Sequence, residues 1–541
     1  MFFCNSHHPP IPTQDLISWV FDGPIYIDPS NPLRSISYNQ ARVLVRKLAA
    51  GFRKAGLKRG DGVLIHSFND VYYSILFLGI IAAGGVFTGT NPSYSQFELS
   101  HHIKTSKSKF LISEPGNLKP LIAAADATGI PRSKIWIFDS FEHNVPQGMK
   151  SWRTLLDNEE EDWIRFDDLE TSRRTPAALL FSSGTTGLPK AAILSHYNLV
   201  AQHTLVYEAN PRPYQMIRLI PVPIFHAAVA PVTHTSALRA GVPTYIMRRF
   251  HLQKYLEYMQ QYKVTDMLIV PPIAVALINS PLLDGPYLKS VKYGLVGAAP
   301  MNKITQARFR EKLPPGVPFT QGFGMTEANS LALLTPYPED DDTGSVGRLI
   351  PGLEAKLIDE TGNDISGYEV CGELCLRGPS ITPGYFENDQ ANAESFDRDG
   401  WFKTGDIAYC ARDSKKWYVV DRKKDLIKVR GFQVAPPELE AVLLEHPEVI
   451  DAAVIGVKFP GDDSERPRAY VVTKNKDTRP TEDELKKFAS SKLARYKNLT
   501  GGVRFVDIIP KNASGKILKK ILREQAKMEL EKLEWRPRAR L

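Results

Sequence analysis

The stretch Ser182-Ser183-Gly184-Thr185-Thr186-Gly187-Leu188-Pro189-Lys190 carries the strongest chemical signal in the sequence, and it lies between the apolar runs AALLF and AAIL. Its glycines allow a tight turn that points backbone N–H groups at an anion, its hydroxyls can bond phosphate oxygens, and Lys190 adds a positive charge. For any shorter piece of this stretch, the alternative interpretation is an ordinary surface turn rich in Ser, Thr and Gly. The nine residues together predict a polyphosphate-binding loop. They do not fit the pattern G-x-x-x-x-G-K-[ST], which argues against a P-loop NTPase.

Helices and buried strands alternate on both sides of this loop. Residues 38 to 56 and 71 to 83 have the apolar spacing of helices, whereas residues 177 to 181 and 266 to 271 have the pattern of buried strands. This alternation predicts an α/β fold with parallel sheets. The acidic, aperiodic residues 157 to 170 are expected to form a surface connection between two α/β subdomains.

The last part of the sequence has a different pattern. Short strands joined by Gly and Asp turns are predicted from about residue 347 to 418, which indicates a small β-rich subdomain. The charged stretch DRKKDLIKVRG then marks a boundary, and beyond it Thr481 and Glu484 have the spacing of a capping box. We predict an N-terminal domain at residues 1 to 420, with two parallel-sheet α/β subdomains and the β-rich one. A small, mobile α+β domain is predicted at residues 421 to 541.

Composition narrows the class of protein. The 541 residues are 43% hydrophobic and 24% charged, which argues against wholesale disorder and membrane insertion. The net charge of +8 is spread along the chain without a nucleic-acid-binding signature, so small phosphorylated ligands are favoured over nucleic acid or an anionic membrane surface. The cysteines are too few for a disulfide framework or a paired C-x-x-C metal site, which predicts reduced thiols in an intracellular protein. They are Cys4, Cys371, Cys375 and Cys410.

Both termini bear on localisation. The segment MFFCNSHHPPIP has neither a basic region nor a long apolar run, so no secretory signal is expected. The most apolar stretch, residues 75 to 86, is well short of the roughly 20 residues that span a bilayer. Ala539-Arg540-Leu541 is similar to the S-K-L peroxisomal address, which predicts recognition by an import receptor. The alternative is an ordinary basic tail on a cytoplasmic protein.

Seven further motifs follow in a fixed order: PVPIFHA, VGAAP, QGFGMTE, GELCLRGP, WFKTGD, VDRKKDLIKVRGFQVAPPELE and PKNASGK. With the loop, they identify the sequence as a member of the acyl-adenylate-forming superfamily, which includes acyl-CoA synthetases, beetle luciferases and nonribosomal-peptide adenylation domains. The resemblance covers nearly the whole chain and is strongest to 4-coumarate:CoA ligases and their fungal and plant peroxisomal relatives. It implies an AMP-forming acid:CoA ligase that uses a carboxylic acid, ATP, Mg²⁺ and coenzyme A.

The resemblance also implies a nucleotide site. Phe323 would stack near adenine, Thr326 would bond the α-phosphate and Glu327 would help hold Mg²⁺. The family usually has Tyr at the position of Phe323, so stacking is kept and a phenol hydrogen bond is lost. Asp406 and Arg422 resemble the pair that binds the ribose hydroxyls. The other implied nucleotide contacts are Ser182, Ser183, Gly184, Thr185, Thr186, Gly187, Lys190, Gly297, Ala298, Ala299, Gln321, Gly322, Gly324 and Met325. For residues 297 to 299 a tight packing turn is the alternative.

Two lysines are implied in successive half-reactions. Lys516 matches the lysine that bridges the substrate carboxylate and the α-phosphate during adenylation, where a cation stabilises developing charge. Lys428 and Gln433 match the pair that faces the active site when the thioester forms. The resemblance therefore implies rotation of the last domain about a hinge near residues 424 and 425. A solvated charged face is the alternative for this cluster. The residues implied at the CoA entrance are Arg430 and Gly431.

His226 precedes a stretch that bears on the choice of acid. The resemblance places His226 at the mouth of the acyl pocket, where it would gate entry of the carboxylate and later of the thiol. The alternative is a core histidine with satisfied hydrogen bonds or a surface histidine. Whether His226 also acts as a general base stays open. Ala227-Ala228 follows where hydroxycinnamate-specific ligases carry a bulkier tyrosine nearby. A strict preference for 4-coumarate is therefore not expected. The expected substrate is a fatty, polyketide-derived or arylacetic acid of secondary metabolism.

Other functions share much of this pattern. A luciferase-like oxidation of the adenylate uses nearly the same motifs, and an adenylating enzyme that loads a carrier protein is a second alternative. A non-catalytic binding protein of this fold is disfavoured because the charged motif residues are all present. Nucleic-acid binding has only the +8 charge in its favour. No residue is expected to form a covalent intermediate, and the oligomeric state is not predicted.

Overall fold

The computed structural model of the protein describes residues 3–5, 9–17, 26–141, 144–182, 188–429, 432–459, 462, 464–475, 479–512 and 515–534. Its internal contacts divide the chain into two compact units. The larger unit comprises Phe2–Ala355 and Cys375–Lys403, and the smaller comprises Lys356–Leu374 and Thr404–Leu541. The domain boundary between residues 420 and 421 stays a prediction.

The first sheet of the larger unit has seven strands and is parallel except at one edge. The strands lie in the order Lys190–Ser195, Pro176–Ser182, Val86–Gly89, Gly62–His66, Ser108–Ser113, Ile135–Ile137 and Lys150–Ser151. Only the edge strand that begins at Lys190 is antiparallel to its neighbour. The two central strands are buried along their whole length, as helix-covered parallel strands are. The helices of this region are Tyr38–Lys54, Val71–Ala82, Gln96–Ser106, Leu118–Thr128, Leu169–Arg174 and His196–His203.

The first two helices confirm the periodicity of the sequence. Tyr38–Lys54 begins at a capping box between Ser37 and Gln40, and the chain leaves the helix through Gly56 at a φ of +88°. Val71–Ala82 begins where the carboxylate of Asp70 accepts a hydrogen bond from the Tyr72 backbone. Both helices end one or two residues earlier than predicted, because hydrophobic spacing does not show where the last turn unwinds.

The acidic segment at residues 157 to 170 does lie on the surface, where Glu160 pairs with Arg46 and Glu161 with Arg53, each at 2.9 Å. It does not separate two subdomains. The strand that follows it, Pro176–Ser182, pairs in parallel with a strand of the first sheet that precedes it. The prediction of an inter-subdomain connection is therefore wrong. Acidic charge and the absence of apolar periodicity identify a surface segment. They carry no information about which sheet the following strand joins.

The second sheet of the larger unit also has seven strands and is parallel except for its last pair. The order is Phe319–Gln321, Tyr293–Val296, Asp266–Ile269, Arg218–Ile220, Thr244–Ile246, Tyr26–Ile27 and Ser35–Ile36. Two parallel-sheet α/β subdomains are thus confirmed. A small third sheet contains Phe323–Met325, Ser330–Leu334 and Arg348–Leu349. The α-helices here are Ala237–Arg239, Leu252–Gln261, Pro271–Ile278 and Lys303–Arg310, and the π-helical turns are Thr204–Glu208 and Val232–Ser236.

A β-rich region follows, as predicted. Its strands lie in the order Phe3–Cys4, Glu354–Ile358, Gly372–Arg377, Phe402–Cys410 and Trp417–Arg422. The last two strands are antiparallel, and their register places Asp406 opposite Arg422. The short helix Asp389–Ser395 lies between two of these strands in the chain.

The end of the smaller unit is α+β, as predicted. Its strands are the antiparallel hairpin Ile427–Val429 with Phe432–Val434 and the sheet Val449–Val457, Arg466–Thr473 and Gly502–Phe505. The helices are Pro436–Leu444, Glu482–Ser490 and Lys519–Glu534, and the predicted capping box at Thr481 is present. One apolar cluster covers each face of the sheet. The helices among the described residues include none with the length and apolarity that crossing a bilayer needs.

Candidate active site

The phosphate-loop motif connects two antiparallel strands. Ser182 and Lys190 are direct cross-strand partners, so the motif begins and ends on two adjacent antiparallel strands. A Walker A loop instead runs from a strand into a helix, which agrees with the missing register in the sequence. The carbonyl of Pro189 lies 2.9 Å from Nε2 of His101, so the end of the loop is held against a helix. The predicted phosphate contacts Ser183, Gly184, Thr185, Thr186 and Gly187 lie outside the described residues.

Three segments that are distant in sequence meet around the carboxylate of Glu327. This side chain is buried, and its Oε1 accepts a 2.7 Å hydrogen bond from the phenol of Tyr385. The ammonium of Lys190 lies 5.2 Å from the centroid of the Tyr385 ring, a cation–π distance. The backbone N–H of Thr382 donates to the carbonyl of Glu327 at 2.7 Å. The predicted metal-binding carboxylate is therefore fixed in place, beside one of the predicted phosphate-binding cations.

Thr326 and Glu327 share a short 3₁₀ turn, Thr326–Ala328, between two strands of the small sheet. The turn ends at Asn329, which has a left-handed φ of +58°. Non-glycine residues adopt this conformation at a cost of roughly 1–3 kcal/mol, and such residues cluster at functional sites. The next residue, Ser330, also has a positive φ, and its hydroxyl donates to the carbonyl of Ala228 at 3.0 Å. The turn is thus tied to the segment that carries His226.

Gln321 has a supporting role in this structure. Its side-chain oxygen accepts a hydrogen bond from the backbone of Met301 at 3.1 Å, and its amide nitrogen donates to Gln306 at 2.9 Å. These bonds use the amide to hold the neighbouring turn. Phe323, Gly324 and Met325 follow in a half-buried strand paired with Ser330–Leu334.

The residues predicted to approach a flat ligand lie at the carboxyl ends of adjacent parallel strands. Tyr293–Val296 ends just before Gly297, and its neighbour Phe319–Gln321 ends just before Gly322. A Cβ added to Gly297 would lie 3.2 Å from the carbonyl of Gly322, so the two backbones are close. Ala298 has a φ of +68°, a second strained backbone position. The carboxyl edge of a parallel sheet is where ligands bind in open α/β folds.

His226 is neutral and accepts a hydrogen bond at Nδ1. Its Nδ1 accepts a hydrogen bond from the backbone N–H of Ala228 at 3.2 Å, so the ring proton of the neutral imidazole is on Nε2. Burial lowers the pKa of His226 to about 4. At neutral pH the imidazole can therefore donate from Nε2 but carries no positive charge.

The predicted ribose-binding pair is formed in the smaller unit. Asp406 and Arg422 face each other across two antiparallel strands, and Nε of Arg422 lies 3.5 Å from Oδ1 of Asp406. Asp406 is buried, and its backbone N–H donates to the hydroxyl of Thr404 at 3.1 Å. The same hydroxyl donates to the carbonyl of Leu374 at 2.7 Å. A fixed carboxylate beside a fork of N–H donors can bind a pair of hydroxyls.

Lys516 lies on a tight turn in the same unit. Its backbone N–H donates to the side chain of Asn512 at 2.8 Å, and its carbonyl accepts from the Asn512 backbone at 2.9 Å. Gly515 supplies the positive φ, +83°, that the turn needs. Burial and the nearby charge of Arg422 lower the pKa of Lys516 to about 8, whereas Asp406 acts in the opposite direction. The structure therefore brings Lys516 close to the Asp406–Arg422 pair.

Lys428 and Gln433 are direct cross-strand partners in the hairpin, and both side chains are exposed. The backbone of Lys428 is held by Glu465, which accepts from its N–H at 2.8 Å. The amide of Gln433 donates to Glu360 at 2.6 Å. Lys428 is exposed, whereas Lys516 is half-buried, so the two lysines have different surroundings. Arg430 and Gly431, predicted at the CoA entrance, lie outside the described residues.

Several residues that shape the site were not predicted. Tyr385, Ser330 and Glu360 contact predicted residues only through the folded structure. Tyr385 could have been noticed as an aromatic after Pro383-Gly384, but nothing in the sequence indicates that its phenol reaches Glu327.

The described residues contain no group of three His, Cys, Asp or Glu side chains that could by itself enclose a metal ion. Mg²⁺ commonly takes one or two protein carboxylates and completes its shell with water and substrate phosphates. The single buried carboxylate of Glu327 fits that mode of binding. The larger unit thus contains a fixed, buried carboxylate at Glu327 and a neutral imidazole at His226. The smaller unit provides a ribose-type pair with a cation beside it.

Two family models match the chain. The model of the AMP-binding enzymes matches residues 21–386, and the model of their C-terminal domain matches residues 438–516. Among characterised relatives, phenylacetyl-CoA ligase epaB of Aspergillus niger is 51% identical over 97% of this chain and 99% of its own length. Acyl-CoA ligase azaF of the same species is 51% identical over 96% of this chain and 100% of its own. A 4-coumarate–CoA ligase of Pinus taeda is 35% identical over 93% and 92%.

Solved structures resemble the chain over the same extent. ATP-bound MatB from Rhodopseudomonas palustris superimposes with a TM-score of 0.83 at 27% identity, and the match covers 95% of this chain and 99% of that one. A benzoate CoA ligase from Burkholderia xenovorans has a TM-score of 0.80 at 22% identity over 94% and 99%. At 22% identity, the similarity to the benzoate CoA ligase shows a shared fold only.

Proposed function

Because this chain belongs to the AMP-binding enzyme family and is an AMP-forming acid:CoA ligase, we propose that its acid substrate is an arylacetic acid of the phenylacetate type. The observation that carries the proposal is the 51% identity, over nearly the full length of both chains, to a relative named phenylacetyl-CoA ligase. Two more distant relatives, at 37% and 35% identity, are named nicotinic acid–CoA ligases. The acids in these names share an aromatic ring.

The side chains near the predicted acyl site support this substrate class. Ala227 and Ala228 follow His226 without a bulky aromatic residue. The Nε2–H of His226 can donate to a carboxylate without requiring a positive charge. Small apolar surroundings with one polar donor are typical of sites that bind small aromatic acids.

The reaction has two steps. A carboxylate oxygen of the acid attacks the α-phosphorus of ATP, the bond to the β-phosphate oxygen breaks, and pyrophosphate leaves. The thiol of CoA then attacks the acyl carbon of the mixed anhydride, loses its proton, and displaces AMP. Lys516 supplies positive charge where the first step concentrates negative charge, and Asp406 with Arg422 holds the ribose. Division into two displacements replaces one difficult acylation by two easier ones.

Mg²⁺ is the proposed metal, and Glu327 would hold it. When bound, the ion would neutralise phosphate charge during adenylation. The structural contribution of this chain is to fix the Glu327 carboxylate through Tyr385 and through the backbone bond from Thr382.

We also propose import into peroxisomes through Ala539-Arg540-Leu541, which lies outside the described residues. The test is the distribution of a fluorescent fusion that ends in these residues, compared with one in which Leu541 is replaced by Lys. Overlap of the first fusion alone with a peroxisomal marker supports the proposal. Cytoplasmic fluorescence from both overturns it.

The substrate proposal is tested by AMP release from ATP with phenylacetate, cinnamate, 4-coumarate, nicotinate, benzoate and octanoate, each with and without CoA. We expect phenylacetate to have the highest kcat/KM and to require CoA for turnover. A fatty acid preferred by about tenfold, equal to about 1.4 kcal/mol of transition-state discrimination, contradicts the arylacetic proposal. Turnover that needs an acyl-carrier protein, or oxygen and light emission, in place of CoA would instead indicate the alternative second steps.

A further inference from the structure

We propose that Lys519 is a positioning residue for adenylation, whose buried ammonium holds the turn of Lys516 beside Arg422. Lys519 is not expected to touch ATP or the acid. Its role is to fix the first turn of the last helix, and thereby the preceding turn that carries Lys516. The proposal rests on the function proposed above, because it assigns Lys516 to formation of the acyl-adenylate.

Lys519 is the first residue of the helix Lys519–Glu534, and its side chain is only 11% exposed. Its Nζ lies 3.1 Å from Oε1 of Glu440, on the helix Pro436–Leu444. The same carboxylate oxygen accepts a 2.8 Å hydrogen bond from the backbone N–H of Val454. Glu440, the partner of Lys519, is therefore itself held by the strand Val449–Val457.

Two more carboxylates act on the Lys519 ammonium. Burial alone would lower the pKa of Lys519, but Glu440, Asp421 and Asp425 together raise it above its ordinary value. The ammonium is therefore charged, and its charge is stabilised by Asp421 of the strand Trp417–Arg422 as well as by Glu440. A buried lysine that keeps its charge does so because its partners compensate for the lost water.

Asp421 depends on this cation. It is buried, and its Oδ1 accepts a 2.7 Å hydrogen bond from the backbone N–H of Arg422. Its Oδ2 is buried and accepts no hydrogen bond from any described residue. Burial raises the pKa of Asp421 to about 7, and Lys519 is the largest influence that lowers it again. Lys519 thus compensates the carboxylate directly next to Arg422.

A second ion pair fixes the same helix one turn later. Nη2 of Arg523 lies 2.7 Å from Oδ1 of Asp425, so the first two turns of the helix face the segment that contains Arg422. On its other side the helix packs Leu522, Ala526 and Leu530 against the sheet. A helix fixed on two sides has little freedom to shift, and the Lys516 turn is joined to its first residue by only two others.

Such support is needed because Lys516 and Arg422 are both cations. The charge of Arg422 contributes to the lowered pKa of Lys516, which means that these two groups repel each other, whereas Asp406 and Asp425 attract Lys516. Lys516 and Arg422 therefore do not hold each other in place. The backbone of the Lys516 turn must also be held, and the Lys519 cluster joins the helix that follows this turn to the segment of Asp421 and Asp425 on either side of Arg422.

The next residue offers a matched control. Lys520 has the same side chain on the same helix turn, but it is 80% exposed and its nearest carboxylate, Glu524, lies 3.9 Å away. Replacing Lys520 by Met removes a lysine from this helix without disturbing the buried cluster. Replacing Lys519 by Arg keeps the charge at the buried position.

The test separates the two half-reactions in the full-length protein. Adenylation is measured as phenylacetate-dependent exchange of pyrophosphate into ATP, and transfer is measured from synthetic phenylacetyl-adenylate to CoA. We expect Lys519→Met to lower adenylation about 100-fold, the typical effect of a misplaced catalytic group, and to leave transfer within about threefold of the unchanged protein. Lys519→Arg should recover most of the loss, and Lys520→Met should be without effect. Equal loss in both half-reactions, or an equal effect of Lys520→Met, would overturn the proposal.

A second measurement does not depend on the acid. Competitive labelling of amines, followed by mass spectrometry, gives the pKa of Lys516 in each variant. We expect a value of about 8 in the unchanged protein and a rise toward the ordinary 10.5 in Lys519→Met, because the released turn would enter water. The value should stay near 8 in Lys519→Arg and Lys520→Met. An unchanged Lys516 pKa in Lys519→Met overturns the positioning role even if phenylacetate proves to be the wrong acid.

Discussion

The phenol of Tyr385 donates a 2.7 Å hydrogen bond to the buried carboxylate of Glu327. The ring of the same tyrosine lies 5.2 Å from the ammonium of Lys190. One side chain thus links the proposed metal-binding carboxylate to a cation of the phosphate loop. A metal–triphosphate group needs a fixed carboxylate and a nearby positive charge at the same time, and Tyr385 positions both.

The first prediction concerns this link. Tyr385→Phe keeps the ring beside Lys190 but removes the hydrogen bond to Glu327. Because a hydrogen bond to a charged group contributes about 1.5–3 kcal/mol, we expect adenylation to fall about 10- to 100-fold and the Mg²⁺ concentration needed for half-maximal rate to rise. Pyrophosphate exchange over a Mg²⁺ titration measures both. Tyr258→Phe, on the helix Leu252–Gln261, is the control and should change neither quantity. A normal Mg²⁺ dependence in Tyr385→Phe would show that the bond does not support metal binding.

The second prediction is a division of labour between the two lysines. Lys516→Ala should nearly abolish adenylation and largely spare transfer from supplied acyl-adenylate, since its ammonium lies beside Asp406 and Arg422. Lys428→Ala, in the exposed hairpin, should do the reverse. Rapid-quench assays of each half-reaction measure the two losses. If either variant loses both half-reactions equally, the assignment of separate roles is wrong.

The third prediction is the pH dependence of adenylation. The pKa of Lys516 is lowered from 10.5 to about 8, so the lysine loses its proton at a lower pH than an exposed lysine does. Because the charged form stabilises the transition state, the adenylation rate should fall as pH rises through about 8. Arginine stays charged over this range, so any activity that remains in Lys516→Arg should not fall there. A fall of the same shape in both proteins would assign the titration to another group.

The fourth prediction concerns His226. Its neutral ring can donate from Nε2, so His226→Ala should raise the KM for the acid about 10- to 100-fold, the effect of losing a hydrogen bond to a carboxylate. Burial lowers the pKa of His226 to about 4, so titration of this side chain should not produce an inflection in the rate near pH 6.5. The pH profiles of the unchanged protein and of His226→Ala should therefore have the same shape in this range. Initial rates over a range of acid concentrations and pH measure both effects. An inflection lost in His226→Ala would instead indicate a protonated histidine or a general base.

The fifth prediction tests the backbone of the nucleotide motif. A Cβ at Gly324 would lie 1.9 Å from the carbonyl oxygen of Ser330, so Gly324→Ala must displace the paired strand. We expect a loss of about 1–3 kcal/mol in the free energy of unfolding, as for overpacked positions, together with weaker ATP binding. Gly116→Ala is the control, because nothing lies within 4 Å of its added Cβ. Urea unfolding and ATP titration of the two variants compare them, and equal stability would mean that the strand adjusts without cost.

Much of the fold could be predicted from local pattern. The buried strand at residues 177 to 181 and the helix beginning at Tyr38 are formed, because apolar periodicity reports which faces are buried. The strand predicted at 266 to 271 is formed only as Asp266–Ile269, because Pro271 begins a helix. The role of residues 157 to 170 could not be predicted, because strand pairing is a long-range property. The register that brings Asp406 opposite Arg422 became clear only from the sheet.

The site was predicted residue by residue through motifs, but its support was not. Tyr385 and Lys519 hold the motif residues, and each does so from a position that carries no chemical signature of its own. A tyrosine or lysine is equally suited to the surface until the fold shows what surrounds it. The strained backbone of Ala298 and Asn329 also could not be foreseen, since Ala and Asn both usually occur at negative φ.

The most direct test of the central claim is a rapid-quench experiment with ATP, Mg²⁺ and radiolabelled phenylacetate. Without CoA, the account predicts that phenylacetyl-adenylate and pyrophosphate form in amounts approaching one equivalent per enzyme. On addition of CoA, the adenylate should disappear as phenylacetyl-CoA and AMP appear at the same rate. Formation of the thioester without a detectable adenylate, or an adenylate that CoA does not consume, would contradict it.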